Sequence, residues 1–364
     1  MKGRKNGVER LVRPHLRNVE TYAAVDPPEE LARRAGIPED KIIKLNGNEN
    51  PHPPLDSVRK AVAQTAINIY PDPLQRKVRQ ALAGYTGVDA DHIIAGAGSD
   101  ELIDLLFRLF IEPGDTILDF DPTFAMYAFC ARVADGKLKL VPRNETFDLD
   151  VEAAKKAIDP RTKIIFLSSP NNPTGNMATE EQVRALLETG LVVVVDEAYF
   201  EFCKQTAAHL VPEYDNLVVL RSMSKWAGLA GLRVGYGMMS PTLAKHIVDI
   251  KSPYNLNVAA EAGLLASIQE APALLADVDK IVRERERMTK LLKTLPGVKP
   301  WPSAGNFVLV QFPPGKAQTV FHGLAQQGIF VRKFGSDRLR DCFRISVGTP
   351  AQTDALIAAM RELV

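Results

Sequence analysis

An α/β fold is what this chain predicts: a large domain built on a mostly parallel sheet flanked by helices, and a smaller α+β domain after it. Three observations carry that expectation. Apolar runs in IIFLSSPNNPTG (Ile164–Gly175), LVVVVDEAYF (Leu191–Phe200) and NLVVL (Asn216–Leu220) each end in polar residues, with polar, helix-like stretches between them. Near-continuous Val/Ile/Leu segments are the pattern of strands buried on both faces of a parallel sheet. Beyond residue 258 the pattern changes to a long periodic helical stretch followed by short strand-like pieces, which suits a second, smaller unit. With 364 residues, 46% of them apolar, the chain can bury a core large enough to divide in two.

Composition excludes several classes of function. A net charge of +1 leaves no single-sign field for nucleic acid. The basic start MKGRKNGVERLVRPHLR has no apolar segment behind it, and no run approaches the length of a membrane span, so a soluble cytoplasmic protein is expected. Cys130, Cys203 and Cys342 are odd in number and lack metal-ligand spacing. They read as reduced structural residues, and no metal site is expected.

Along the chain, PEELARRAG forms a helix stopped by Gly36 and followed by Pro38. LNGNENPHPP (Leu45–Pro54) is a loop, because its asparagines, glycine and prolines sustain neither helix nor central strand. Tyr70 sits in another Pro-rich loop, NIYPDP, ahead of an amphipathic helix over Leu74–Gly84. Gly96 and Gly98 then precede a strongly periodic helix whose first turn holds Ser99, Asp100 and Glu101. Such a helix start is an anion site, and glycines let a phosphate approach. A dinucleotide fingerprint would need a third glycine where Glu101 stands.

A strand over Thr116–Phe120 ends in a Pro turn that presents Phe124. Val141–Asp159 reads as a turn and helix, and a strand begins at Lys163. Ala259–Leu295 reads as one or two helices with RERER (283–287) as a solvated face, and a closing helix spans Gln352–Val364. The expected organisation is an N-terminal arm with part of the small domain (1–45), a large domain (46–260) and a small C-terminal domain (261–364).

Ligands of such sheets bind beyond the carboxyl ends of the strands. Asn172, Asp196, Tyr199 and Lys225 would converge there. A lone lysine is usually solvated, but Lys225 lies between a Val-rich run and a Gly-rich turn, in RSMSKWAGLAGLRVGYG (Arg221–Gly237). An Asp directly after five apolar residues is expected to be half-buried, and a buried carboxylate needs a positive partner.

These segments resemble a known family. SPNNPTG, VDEAY and SMSK with Arg233 eight residues on, together with LNGNENP, YPDP, AGSDELI, DPTFAMY, AGNF and FRISVGT, are similar to the signatures of fold-type I pyridoxal-phosphate (PLP) aminotransferases. The resemblance is nearest to the histidinol-phosphate aminotransferases and covers most of the chain.

It implies that Lys225 carries the cofactor and moves the substrate proton, and that Asp196 faces the pyridine nitrogen. Asn172 and Tyr199 would bond the phenolic oxygen, and Phe124, where many members have Tyr, would stack on the ring. Gly98, Ser99, Asp100, Ser222, Ser224 and Arg233 would hold the phosphate, and Tyr70 would reach the phosphate of the other subunit of a homodimer. Tyr22, Asn50, Arg332 and Arg344 would meet the substrate. The implied reaction passes the amino group of L-histidinol phosphate to 2-oxoglutarate, giving imidazole acetol phosphate and L-glutamate, in histidine biosynthesis. An aromatic amino-acid aminotransferase and a PLP-dependent phospho-amino-acid decarboxylase are the alternatives. Trp226 departs from the smaller or phenyl residue common after the lysine.

Overall fold

The computed structural model describes residues 7–364. Its strands are β1 (Ile43–Leu45), β2 (Ile93–Gly96), β3 (Thr116–Asp121), β4 (Lys137–Pro142), β5 (Thr162–Ser168) and β6 (Val192–Asp196). They continue with β7 (Leu217–Ser222), β8 (Gly235–Met239), β9 (Lys299–Pro300), β10 (Phe307–Gln311), β11 (Ile329–Lys333) and β12 (Cys342–Ser346). Seven form one sheet in the order β2-β8-β7-β6-β5-β3-β4, and five form a second in the order β1-β11-β12-β10-β9. In the first sheet only β8 runs against its neighbours.

Burial explains the apolar runs. Ile165, Leu167, Val193, Val195, Leu217 and Val219 face one core, whereas Ile164, Phe166, Val194, Val218 and Leu220 face another on the opposite side. Successive side chains of a strand point to opposite faces, so a strand covered on both must be apolar at every position. Burying each such side chain contributes about 1.5–3 kcal/mol. The register then brings the ends level: Ser168 pairs with Asp196, and Asp196 with Leu220.

Four strands escaped the sequence pattern: β1, β2, β4 and β8. β8 reads GYGMM, and a Cβ at Gly235 would sit 2.4 Å from the Ser99 nitrogen, so glycine is needed for this close approach. β4 alternates Lys and Leu, as an edge strand with one wet face does. The periodic stretch after residue 258 is two helices, Val258–Gln269 and Ala271–Leu292, parted where Pro272 opens the second.

RERER is only in part the solvated face expected: Arg283 and Glu286 are exposed. Glu284 and Arg285 are buried; Arg285 donates to the Gly305 carbonyl (2.9 Å) and Glu284 is held by Arg287. No described helix is long and apolar enough to cross a membrane.

Candidate active site

The carboxyl ends of the parallel strands open into a cavity of about 630 Å³. Each strand delivers a wall: β2 the helix start Ser99–Asp100, β3 the turn with Phe124, β5 Asn172, β6 Asp196 and Tyr199, β7 Ser222, Ser224 and Lys225. Arg233 enters just ahead of β8, whose reversed direction puts its start at the same edge. From the five-stranded sheet come Arg332 on β11 and Arg344 on β12, and Tyr22 closes in from the N-terminal segment.

Lys225 is half-buried, its Nζ donating only to the Gly47 carbonyl at 3.4 Å. Burial, seconded by the positive charge of Arg344, pushes its amine down to about 8. A large neutral fraction near pH 8 makes it a nucleophile and a base.

Asp196 lies on the cavity floor, 3% exposed, with no cation in ion-pair range among the described residues. Its Oδ2 accepts from the Tyr127 hydroxyl (2.7 Å) and its Oδ1 from the Ala198 N–H (3.1 Å). Burial pushes the carboxyl up to about 6. An arriving positive group would reverse that shift.

Tyr127 went unassigned in the sequence. It lies three residues after Phe124, and its ring stacks on Phe166 (4.6 Å) and meets Phe124 edge-on (5.6 Å). Sequence reasoning missed Asn48 too. Its backbone is left-handed (φ 52°), its Nδ2 donates to the Tyr199 hydroxyl oxygen (2.9 Å), and its Oδ1 accepts from Ser346 (2.9 Å). Burial pushes the Tyr199 phenol up to about 12, keeping it protonated.

Two arginines face this floor without a carboxylate partner in ion-pair range among the described residues. Arg344 donates to Asn172 Oδ1 (2.5 Å) and the Asn46 carbonyl (2.7 Å), while its Nε has no partner. Burial lowers its guanidinium to about 10, so it stays charged at neutral pH. Arg332 donates to the Ala23 (2.5 Å) and Ala24 (3.4 Å) carbonyls. At the opposite wall the helix Ser99–Phe110 begins with no side-chain cap, which leaves its first N–H groups open. Gly98 has φ +80°, and a Cβ there would stand 2.6 Å from Arg233 Nη2. Arg233 pairs with Asp100 at 2.9 Å.

Three expected residues lie off the cavity walls. Gly98 is behind Ser99. Asn50 donates to the Trp226 carbonyl (2.9 Å) and accepts from the His52 N–H (2.9 Å), bracing the segment after Lys225. Tyr70 is 77% exposed and stacks on Tyr254 at 4.3 Å. Trp226 turns away from the site into the core, parallel to Tyr85 at 5.3 Å.

A buried amine, a floor carboxylate, an open helix start and two unpaired guanidiniums can together hold a phosphorylated, electron-withdrawing cofactor and an anionic amine. Comparison with known proteins points the same way. Residues 40–360 match the family model "Aminotransferase class I and II". The chain belongs to this family. Relatives of this aminotransferase include the histidinol-phosphate aminotransferase of Dehalococcoides mccartyi, 43% identical over 357 residues and covering 98% of both chains. That of Roseiflexus castenholzii is 44% identical over 363 residues, covering 97% of this chain and 98% of the relative. Among solved structures, the histidinol-phosphate aminotransferase of Sinorhizobium meliloti in complex with pyridoxal-5'-phosphate has a TM-score of 0.88 at 28% identity, over 96% of each chain.

Proposed function

We propose that the chain transfers the amino group of L-histidinol phosphate to 2-oxoglutarate, with pyridoxal phosphate held in the cavity at Lys225. The observation that carries this is the pair Arg332 and Arg344, two cations without a carboxylate partner facing a desolvated lysine across one cavity. A substrate phosphate would supply the missing charge, and the carboxylates of 2-oxoglutarate could take the same place in the return half of the reaction.

The residues present fit the cofactor. Asp196 is a buried carboxylate lacking a cation, which a protonated ring nitrogen would provide. The open N–H groups at Ser99, with Ser222, Ser224 and Arg233, suit a phosphate. Bound there, the pyridine ring would take up the electron pair released when the substrate Cα–H bond breaks.

The protein's own part follows from its hydrogen bonds. Asp196, oriented by Tyr127 and Ala198, would hold a proton on the ring nitrogen. Because Arg344 occupies Asn172 Oδ1, the Asn172 Nδ2 remains to donate to the cofactor's phenolic oxygen; because Asn48 donates to Tyr199, the Tyr199 hydroxyl proton is likewise free. Phe124, on the cavity wall, would cover one face of a bound ring and exclude water there. The amine of Lys225 would hold the cofactor and, when free, would move the substrate Cα proton.

Further proposals concern organisation. The domain limit at residue 45 suits the two sheets, since β1 pairs with β11 and the second sheet's other strands all follow residue 298, whereas the limit at 260 falls inside the helix Val258–Gln269, which packs on the helices Asp56–Ala63 and Arg76–Thr86 of the large domain. The free cysteines suit a reducing, cytoplasmic setting. We also infer a homodimer in which Tyr70 completes the partner's site. Ile67, Ile69, Tyr70 and Leu74 are exposed within eight residues, an apolar loop that a second subunit would cover.

Measured side by side, kcat/KM for histidinol phosphate should exceed that for Phe and Tyr, and unphosphorylated histidinol should be poor. Arg344→Ala should cost about 2–5 kcal/mol of transition-state binding for histidinol phosphate, as for a desolvated charge pair that loses one partner. Preference for Phe or Tyr would replace this assignment by an aromatic amino-acid aminotransferase.

A further inference from the structure

A second cleft, of about 460 Å³, lies at the junction of the two sheets and has no part in the chemistry above. Arg143 and Phe147, just after edge strand β4, form one wall; Trp301, Gln311 and Arg338, from the body of the five-stranded sheet, form the other. Its charge is unbalanced. Arg143 is 3% exposed, yet no carboxylate lies within ion-pair range of it among the described residues. Its Nη1 donates to the Phe147 carbonyl (3.1 Å), while its Nε and Nη2 have no partner. The buried Asp119 carboxylate, whose charge acts on Arg143 from beyond ion-pair range, accepts from the Phe120 N–H (2.8 Å).

Arg338 also has no carboxylate within ion-pair range among the described residues, although the Asp121 carboxyl feels its charge and that of Arg143. It donates only to main-chain carbonyls, those of Asp121 (3.2 Å) and Asn144. The Trp301 indole N–H is buried and without a partner among the described residues, and Lys299, outside the cleft's walls, lies 3.9 Å over its ring. Glu145 is the one acid among the cleft's walls, and it is exposed.

Buried guanidinium and indole N–H groups are normally satisfied, and an unpaired buried cation is costly. Paired arginines with unfilled N–H groups are the donor set that anionic oxygens fill best. We propose that this cleft is a second anion-binding site, taking a small organic molecule that carries a phosphate or two carboxylates, separate from the cavity at Lys225. Such a ligand would join the two sheets' bodies. Its effect could reach the catalytic cavity through Arg338, whose acceptor Asp121 begins the turn that carries Phe124.

Trp301 reports on the site directly. In the pyridoxal-phosphate-loaded protein, inorganic phosphate and, separately, glutarate should change tryptophan emission saturably, and sodium chloride of equal ionic strength should not. The response should vanish in Trp301→Phe and persist in Arg344→Ala, which disables only the catalytic anion site. Arg338→Gln should weaken the probe about tenfold, as loss of one charged hydrogen bond does. Gln311→Glu, which sets a carboxylate in the cleft without touching either arginine, should weaken it as well. Phosphate acting alone or glutarate acting alone would identify the head group. No saturable response to either, a response matched by sodium chloride, one abolished by Arg344→Ala, or one unchanged in both Arg338→Gln and Gln311→Glu would overturn the proposal.

Discussion

Asp196 sets a conflict that one substitution can expose. Its carboxyl is buried without a cation, so its folded pKa, about 6, lies above the unfolded value. Between about pH 4 and 6 the cofactor-free native state therefore binds more protons than the unfolded chain, and its stability falls as pH rises; above that window the loss is complete. Asp196→Asn removes the titration. Without cofactor, the Asn variant should gain on the wild type by on the order of 2–3 kcal/mol between pH 4 and 8, read from urea melts at each pH. The same change should lower kcat by orders of magnitude, because the amide cannot hold the ring-nitrogen proton. A stability difference independent of pH would mean that Asp196 is not an uncompensated carboxylate. Tyr127 belongs to the same balance, since its hydroxyl is the carboxylate's shortest contact at 2.7 Å.

Level strand ends turn a core pattern into a site at the scale of elements. Gly235 holds that edge together: a Cβ there would meet Ser99 N at 2.4 Å, Gly98 C at 2.8 Å and Arg221 O at 2.9 Å, all main chain. Gly235→Ala should cost about 1–3 kcal/mol as an overpacking change, and weaken pyridoxal phosphate binding by displacing the helix start. Gly231→Ala, with nothing within 4 Å, is the control that should do neither. Equal melts and equal cofactor affinity for the two variants would show that the close approach does not shape the cradle.

The same elements explain what the sequence made legible. β5, β6 and β7 were readable because strands buried on both faces are apolar throughout, and their polar ends pointed to Asn172, Asp196 and Lys225. β8 was not, because glycine chosen for close packing carries no strand signal. Asn48 and Tyr127 were unreadable for another reason. Their roles come from contacts with Tyr199, 151 residues away, and Asp196, 69 residues away, which no local pattern encodes. RERER misled because a run of charges says nothing about a helix face that meets the Gly305 carbonyl.

For the whole molecule, the exposed loop around Tyr70 is the feature that one chain alone does not explain. Tyr70→Asp would set a carboxylate against a partner's bound phosphate, and Lys225→Ala removes the amine; each alone should be inactive. After subunit exchange, a site shared in trans regenerates one intact site per heterodimer, or about a quarter of wild-type activity for random mixing in a two-fold dimer. A mixture that stays inactive after mass spectrometry has verified exchange would remove Tyr70 from the partner's site.

The proposed chemistry rests on a single amine, and borohydride trapping tests it most directly. The protein loaded with pyridoxal phosphate is reduced, digested and mapped by mass spectrometry. The expected result is one phosphopyridoxyl group per chain, on Lys225 within Arg221–Gly237, with loss of the yellow colour and of turnover. A label on any other lysine, or full activity after reduction of Lys225, would contradict the assignment.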